Sequence, residues 1–175
     1  MPSIRLALAL ALLLASAARA QPQGPPPCRT DPRAHALDFW LGDWEVRTPD
    51  GKLAGRSRVE AILGGCVLLE SWEGSGGGSG RSFNLFDRGT GQWRQTWVDG
   101  QANQVDFTGG LEGPSMVYRS EGKGAGGQPR RTRMTFTPLP GGRVRQLWES
   151  SADGGATWTV AFDGTYLPRR ADAGP

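Results

Sequence analysis

The chain has 175 residues, with 20 Lys or Arg against 17 Asp or Glu, seven Trp, two Cys and a single His. That length fits one domain able to bury a real core. One histidine and two cysteines argue against proton shuttles and multi-ligand metal centres, while 27 Gly and 13 Pro favour short strands and frequent turns over long helices.

The first twenty residues read as a secretory signal. Arg5 gives the positive start, Leu6 to Ala15 are Leu and Ala only, and Ala18-Arg19-Ala20 fits a small-x-small cleavage site. The apolar run is too short for a permanent membrane helix, and no cysteine follows it to carry a lipid. A periplasmic or secreted protein with no stable membrane anchor is expected. Residues 1–20 hold Arg5 and Arg19 and no acid, so the mature chain carries 18 basic against 17 acidic groups. That near-neutral balance argues against a nucleic-acid partner, which would want a concentrated basic face. The one dense cluster, Arg130-Arg131-Thr132-Arg133, reads as a solvated strand edge.

Residues 21–33 are rich in Pro, Gln and Gly at their start and read as a disordered leader; 34–168 form the expected domain and 169–175 a disordered tail. Cys28 and Cys66 make an even pair in an exported chain, which predicts one disulfide. On the chain-entropy account a loop of that size contributes roughly 3–4 kcal/mol. The bridge would tie the leader to the Cys66 strand, on the face that carries Glu70 and Trp72.

Pro32 to Phe39 reads as one short helical turn, and Gly42 opens the first strand with Trp44 and Val46 on one side. Pro49-Asp50-Gly51-Lys52 is a turn, since Asp-Gly suits positive φ. Further strands are predicted at Leu53 to Leu63, from Cys66 to the Gly74–Gly80 glycine run, at Arg81 to Asp87, Gln92 to Val98 and Asn103 to Gly109. Met116 to Ser120, Arg131 to Thr137, Arg143 to Ser150 and Thr157 to Leu167 follow. About ten evenly spaced strands make an all-β antiparallel meander, which removes its edges by closing into a barrel; a two-sheet sandwich is the competing arrangement. The Gly74–Gly80 run reads as a flexible loop that could cover a cavity mouth.

Three strands repeat one pattern: Glu70-Ser71-Trp72, Gln95-Thr96-Trp97 and Gln146-Leu147-Trp148. Residues two apart in a strand share a face, so each places a hydrogen-bonding group beside an indole. In the two strands carrying Gln-x-Trp the opposite face holds Arg94, Thr96 and Val98, or Arg145, Leu147 and Glu149. Arginine is costly to bury unpaired, so those faces point outward and the Gln/Glu–Trp faces inward. In the last strand Trp158, Val160, Phe162 and Tyr166 fall on one side by the same alternation. Glu70, beside Trp72 on an inner face, is expected to have its pKa raised by desolvation. No Ser–His–Asp set, metal-ligand spacing or phosphate loop is present. Ser151-Ala152-Asp153-Gly154-Gly155-Ala156-Thr157-Trp158 matches the Asp-box hairpin of sialidase propellers, but a single copy in a short chain predicts only a structural turn.

Phe39-Trp40-Leu41-Gly42-Asp43-Trp44, a Gly-x-Trp strand after a helical turn, resembles the opening signature of lipocalins and the wider calycin group. Together with Gly65-Cys66, Glu70-x-Trp72, Trp93-Arg94-Gln95-x-Trp97-Val98-Asp99 and the closing Asp-box hairpin, it resembles a family of exported bacterial lipocalin-like domains of unknown function, over residues 28 to 168. That resemblance implies a calycin-like β-barrel with a central cavity. The chain is also similar in its opening to the haem-binding nitrobindins. Those hold iron through a barrel histidine, whereas His35 here precedes the strands, so no cofactor is expected. The function expected is a non-enzymatic binding protein holding a small, largely apolar ligand, with Trp72, Trp97 and Trp148 as walls and Glu70, Gln95 and Gln146 as orienting groups. Two alternatives stay open: a small isomerase or hydrolase using Glu70 as general acid or base, and a carbohydrate-binding module with its rings on an open face.

Overall fold

A computed structural model describes residues 24–169. The expected signal segment 1–20 and, apart from Arg169, the expected tail lie outside the described residues. Ten strands follow in order: β1 (Gly42–Arg47), β2 (Leu53–Ile62), β3 (Val67–Gly74), β4 (Ser79–Asp87), β5 (Gln92–Asp99), β6 (Gln104–Glu112), β7 (Ser115–Lys123), β8 (Pro129–Leu139), β9 (Arg143–Ser151) and β10 (Thr159–Pro168). Each pairs antiparallel with its neighbour in sequence, and β1 pairs with β10 through Trp44–Pro168 to Arg47–Thr165. The sheet is therefore a closed barrel, not a sandwich. Closure leaves no strand edge, which corrects the reading of Arg130 to Arg133 as one: β8 is paired on both sides, with β7 and β9.

An up-and-down barrel sorts its loops by parity. The turns after β1, β3, β5, β7 and β9 gather at one end, and those after β2, β4, β6 and β8 at the other. The second end is closed by the segment before β1. The helical turn expected before the first strand is present as two successive 3-10 turns, Pro32–His35 and Asp38–Trp40, and a third, Pro27–Thr30, precedes them. Asp31 caps the second by accepting the Arg33 amide. The segment drives Leu37 and Trp40 completely out of solvent. Trp40 packs 4.4 Å from the Phe136 ring and 5.9 Å from that of Tyr166, and Trp44 Nε1 donates to the Trp40 carbonyl at 2.9 Å.

Two long-range links hold this plug in place. Trp93 Nε1 donates to the Arg33 carbonyl at 3.0 Å, and the Arg33 guanidinium lies 4.8 Å over the Phe86 ring. The predicted Cys28–Cys66 disulfide is present, spanning 38 residues with Cα atoms 5.2 Å apart. Cys66 ends the 3-10 turn Leu63–Gly65 immediately before β3, so the bridge fastens the plug to the closed end at the start of that strand.

The exterior is laced with cross-strand ion pairs, among them Arg133–Glu149 and Arg145–Asp163 at 2.9 and 2.7 Å. Such exposed pairs contribute little each, about 0–1 kcal/mol. They do confirm the outward facing of Arg145 and Glu149. The Asp-box segment is a structural turn, as expected: Asp153 accepts from the Thr157 amide at 2.9 Å and Ser151 Oγ from the Gly155 amide at 2.8 Å. Hydrogen bonds from Thr157 and Ser151 hold the Asp153 carboxyl well below the usual carboxylate range.

Candidate functional site

The open end leads into a cavity of about 280 Å³. All six residues singled out from the sequence line it: Glu70 and Trp72 from β3, Gln95 and Trp97 from β5, Gln146 and Trp148 from β9. The two-residue repeat thus converges as the alternation predicts. Phe162 and Tyr166 of β10, Met134 and Arg130 of β8 and Ala161 complete the wall.

Phe162 reaches the cavity through a feature the sequence conceals. Val160 pairs with Glu149 and Phe162 with Trp148, so Ala161 is an extra residue and the register shifts there. A bulge inverts alternation. Trp158 and Val160, expected on the face of Phe162 and Tyr166, are outside: Val160 is 56% exposed and Trp158 stacks 4.4 Å from the Arg133 guanidinium.

Two of the three cavity indoles, Trp72 and Trp97, rest against glycine. A Cβ on Gly55 of β2 would stand 2.7 Å from the Trp72 ring, and one on Gly80 of β4 2.3 Å from the Trp97 ring. Both are far inside van der Waals contact, so the rings lie directly on bare backbone of the neighbouring strand. Phe162 covers Gly164 in the same way, at 2.6 Å. Bulky rings set against the wall leave the lumen open, where ordinary side chains beneath them would force them inward. Trp72 and Phe162 meet edge to face with centroids 5.8 Å apart, and Trp148 meets Phe107 similarly at 5.5 Å.

Below the rings lies a buried polar floor. Glu70 is 3% exposed. Its Oε1 accepts from Ser57 at 3.0 Å and faces Tyr166 Oη at 3.2 Å, and its Oε2 accepts from Ser82 at 2.9 Å. Tyr166 has one proton and two acceptors in reach, the nearer being Gln146 Oε1 at 2.6 Å. A protonated Glu70 resolves that competition, donating to Tyr166 while Tyr166 donates to Gln146. Burial pushes the Glu70 carboxyl up to about 7, against the opposing pull of the Ser82, Ser57 and Tyr166 hydroxyls.

The amides of Asn84 and Gln95 have assignable orientations. Asn84 Nδ2 donates to the Leu68 carbonyl at 3.4 Å and to Ser82 Oγ at 3.0 Å, which turns Asn84 Oδ1 toward Gln95. Gln95 Nε2 donates to that oxygen at 2.8 Å, so Gln95 Oε1 is the atom left over, buried and without a hydrogen-bond partner. Ser57, Ser82, Asn84 and Tyr166 were not legible as site residues. Their only sequence signal was polar side chains at inward positions of predicted strands.

Two other expectations concern the rim. The glycine run after β3 is a tight turn, not a floppy loop: the Gly74 amide donates to Gly78 at 2.7 Å and the Gly77 amide to Gly74 at 3.0 Å. It stands at the mouth beside Trp72 and Trp97. His35 is exposed on the plug at the closed end, 2.8 Å from Asp38. Among the described residues no helix is long and apolar enough to cross a membrane. No model of a known family matches this sequence, and the search of curated proteins returns no match. The architecture itself, a closed barrel with an aromatic-walled cavity open at one end, suits the holding of a small molecule.

Proposed function

We propose that this chain is an exported, non-enzymatic binding protein of the lipocalin-like kind, holding a small and largely apolar ligand in its barrel. The cavity of about 280 Å³ walled by Trp72, Trp97 and Trp148 carries this reading. The disulfide supports an oxidising, extracytoplasmic setting. The walls supply apolar area, and the floor of Glu70, Gln95 and Gln146 supplies orientation.

Titration with N-phenyl-1-naphthylamine, a neutral fluorescent probe, tests the reading. The wild type should bind it and Trp97→Ala should bind about tenfold more weakly, the loss of one aromatic contact at a desolvated site. Circular dichroism of the variant should be unchanged. Equal binding by the variant, or collapse of its fold, would show that the indoles are filler. A second reading, a small barrel enzyme, has one observation in its favour: a cavity carboxyl whose pKa stands at about 7. Turnover abolished by Glu70→Gln with probe binding intact would favour it.

A further inference from the structure

The floor of the cavity is rich in acceptors and holds no cation. Among the described residues Glu70 makes no ion pair; its contacts are the hydroxyls of Ser57 on β2, Ser82 on β4 and Tyr166 on β10. Gln146 on β9 lies behind Tyr166, and Arg81 on β4 adds only a distant attraction. Gln95 Oε1 is a second acceptor in the same floor, buried and unpaired, and its negative end is uncompensated. Above them the rings of Trp72, Trp97 and Trp148 line the cavity, and an aromatic face carries the negative side of the ring quadrupole. Arg130 is the one cation that lines the cavity, and it is exposed, where water and salt screen it. Every deep group therefore raises the affinity for positive charge.

On the binding reading above, we infer that the cavity selects an organic ammonium ion, its head beside Glu70 and its apolar body between Trp72, Trp97 and Trp148. The ammonium supplies what the floor lacks: a charge opposite Glu70, N–H donors for spare carboxylate lone pairs, and a cation within reach of aromatic faces. Where Glu70 is protonated before the encounter, its proton passes to solvent as the ammonium arrives. One positive charge enters and one leaves, and the carboxylate is then paired. Association of an amine that stays protonated across this range should accordingly strengthen as pH rises through 7, the value to which burial lifts Glu70.

Three near-isosteric probes decide this by calorimetry or tryptophan fluorescence: 2-phenylethylamine, propylbenzene and 3-phenylpropionate. At about pH 8.5 the amine, still charged, should bind roughly tenfold or more tightly than propylbenzene, with the acid weakest; at about pH 5.5 that preference should shrink. Glu70→Gln should abolish the preference and its pH dependence. The wild-type comparison and its pH profile need no variant, so a poorly folded Glu70→Gln leaves the test standing. Tighter binding of the acid than of the amine, or an amine preference that ignores pH, overturns the inference and leaves the binding reading intact. No binding of any probe by folded protein overturns both.

Discussion

The two ends of this barrel are built from the same strands and the same kinds of side chain, yet one is solid and the other hollow. At the closed end Trp40 is completely buried, wedged between Phe136 and Tyr166 by a segment that a disulfide fastens down. At the open end Trp72 and Trp97 are only partly buried, and each ring lies against a glycine of the adjacent strand. An indole becomes core filler when a cap presses it into the lumen. Trp72 and Trp97 become walls where the strand beside each offers no Cβ. What lies next to the ring, not the ring, sets its role.

The largest effects that would separate the ends belong to the plug. Trp40→Ala should cost about 3–5 kcal/mol in denaturant unfolding, the usual range for a fully buried aromatic. Removing the bridge with Cys28→Ser and Cys66→Ser together should cost about 3–4 kcal/mol, because the denatured chain regains the freedom of a 38-residue loop. If either change proved harmless, the closed end would not be the stabilising half.

The polar floor predicts a pH dependence of smaller size. Glu70 has its folded pKa raised from 4.5 to about 7, so the unfolded chain releases that proton first. The stability contributed is fully present below pH 4.5 and is lost as pH rises toward 7, by an amount on the order of 3 kcal/mol. His35, whose pKa Asp38 raises, loses its contribution in an overlapping window. Unfolding free energies of the wild type and Glu70→Gln between pH 4.5 and 8 isolate the carboxyl: the slope should flatten in the variant. An unchanged slope would assign it to His35.

Gly80→Ala is the subtlest change and the sharpest test of the glycine argument. The new methyl would occupy the space of the Trp97 ring and approach the Val98 carbonyl at 2.8 Å. Overpacking of this kind costs about 1–3 kcal/mol, less than loss of the plug, but the displaced indole should enter the lumen and abolish probe binding. Binding that survives Gly80→Ala would mean that the cavity's width is not set there.

Much of this was legible in the sequence, for a physical reason. Gln95-x-Trp97 and Gln146-x-Trp148 carry arginine on their opposite faces, and the cost of burying that charge fixes which way each of those strands turns; Glu70-x-Trp72 follows by the shared pattern. Evenly spaced turns gave ten strands, and an even cysteine pair gave the bridge. What stayed hidden depends on register. That Ser57 and Ser82 would meet Glu70 follows from pairing β2 and β4 with β3, which no single strand encodes. The bulge at Ala161 has no turn residue to announce it, so Trp158 and Val160 were assigned to the wrong face. The helical turn before β1 was legible but its role as a plug was not, because 3-10 turns are too short for periodicity to mark the side that packs inward.

The claim that matters most is that the open half of the barrel is a binding site. Native mass spectrometry of the protein purified from its own host examines it directly. The account predicts a population carrying one small molecule, released on gentle activation and missing from Gly80→Ala prepared in the same way. A wild type that arrives only as bare protein, and that remains bare with every probe offered to it, would contradict it.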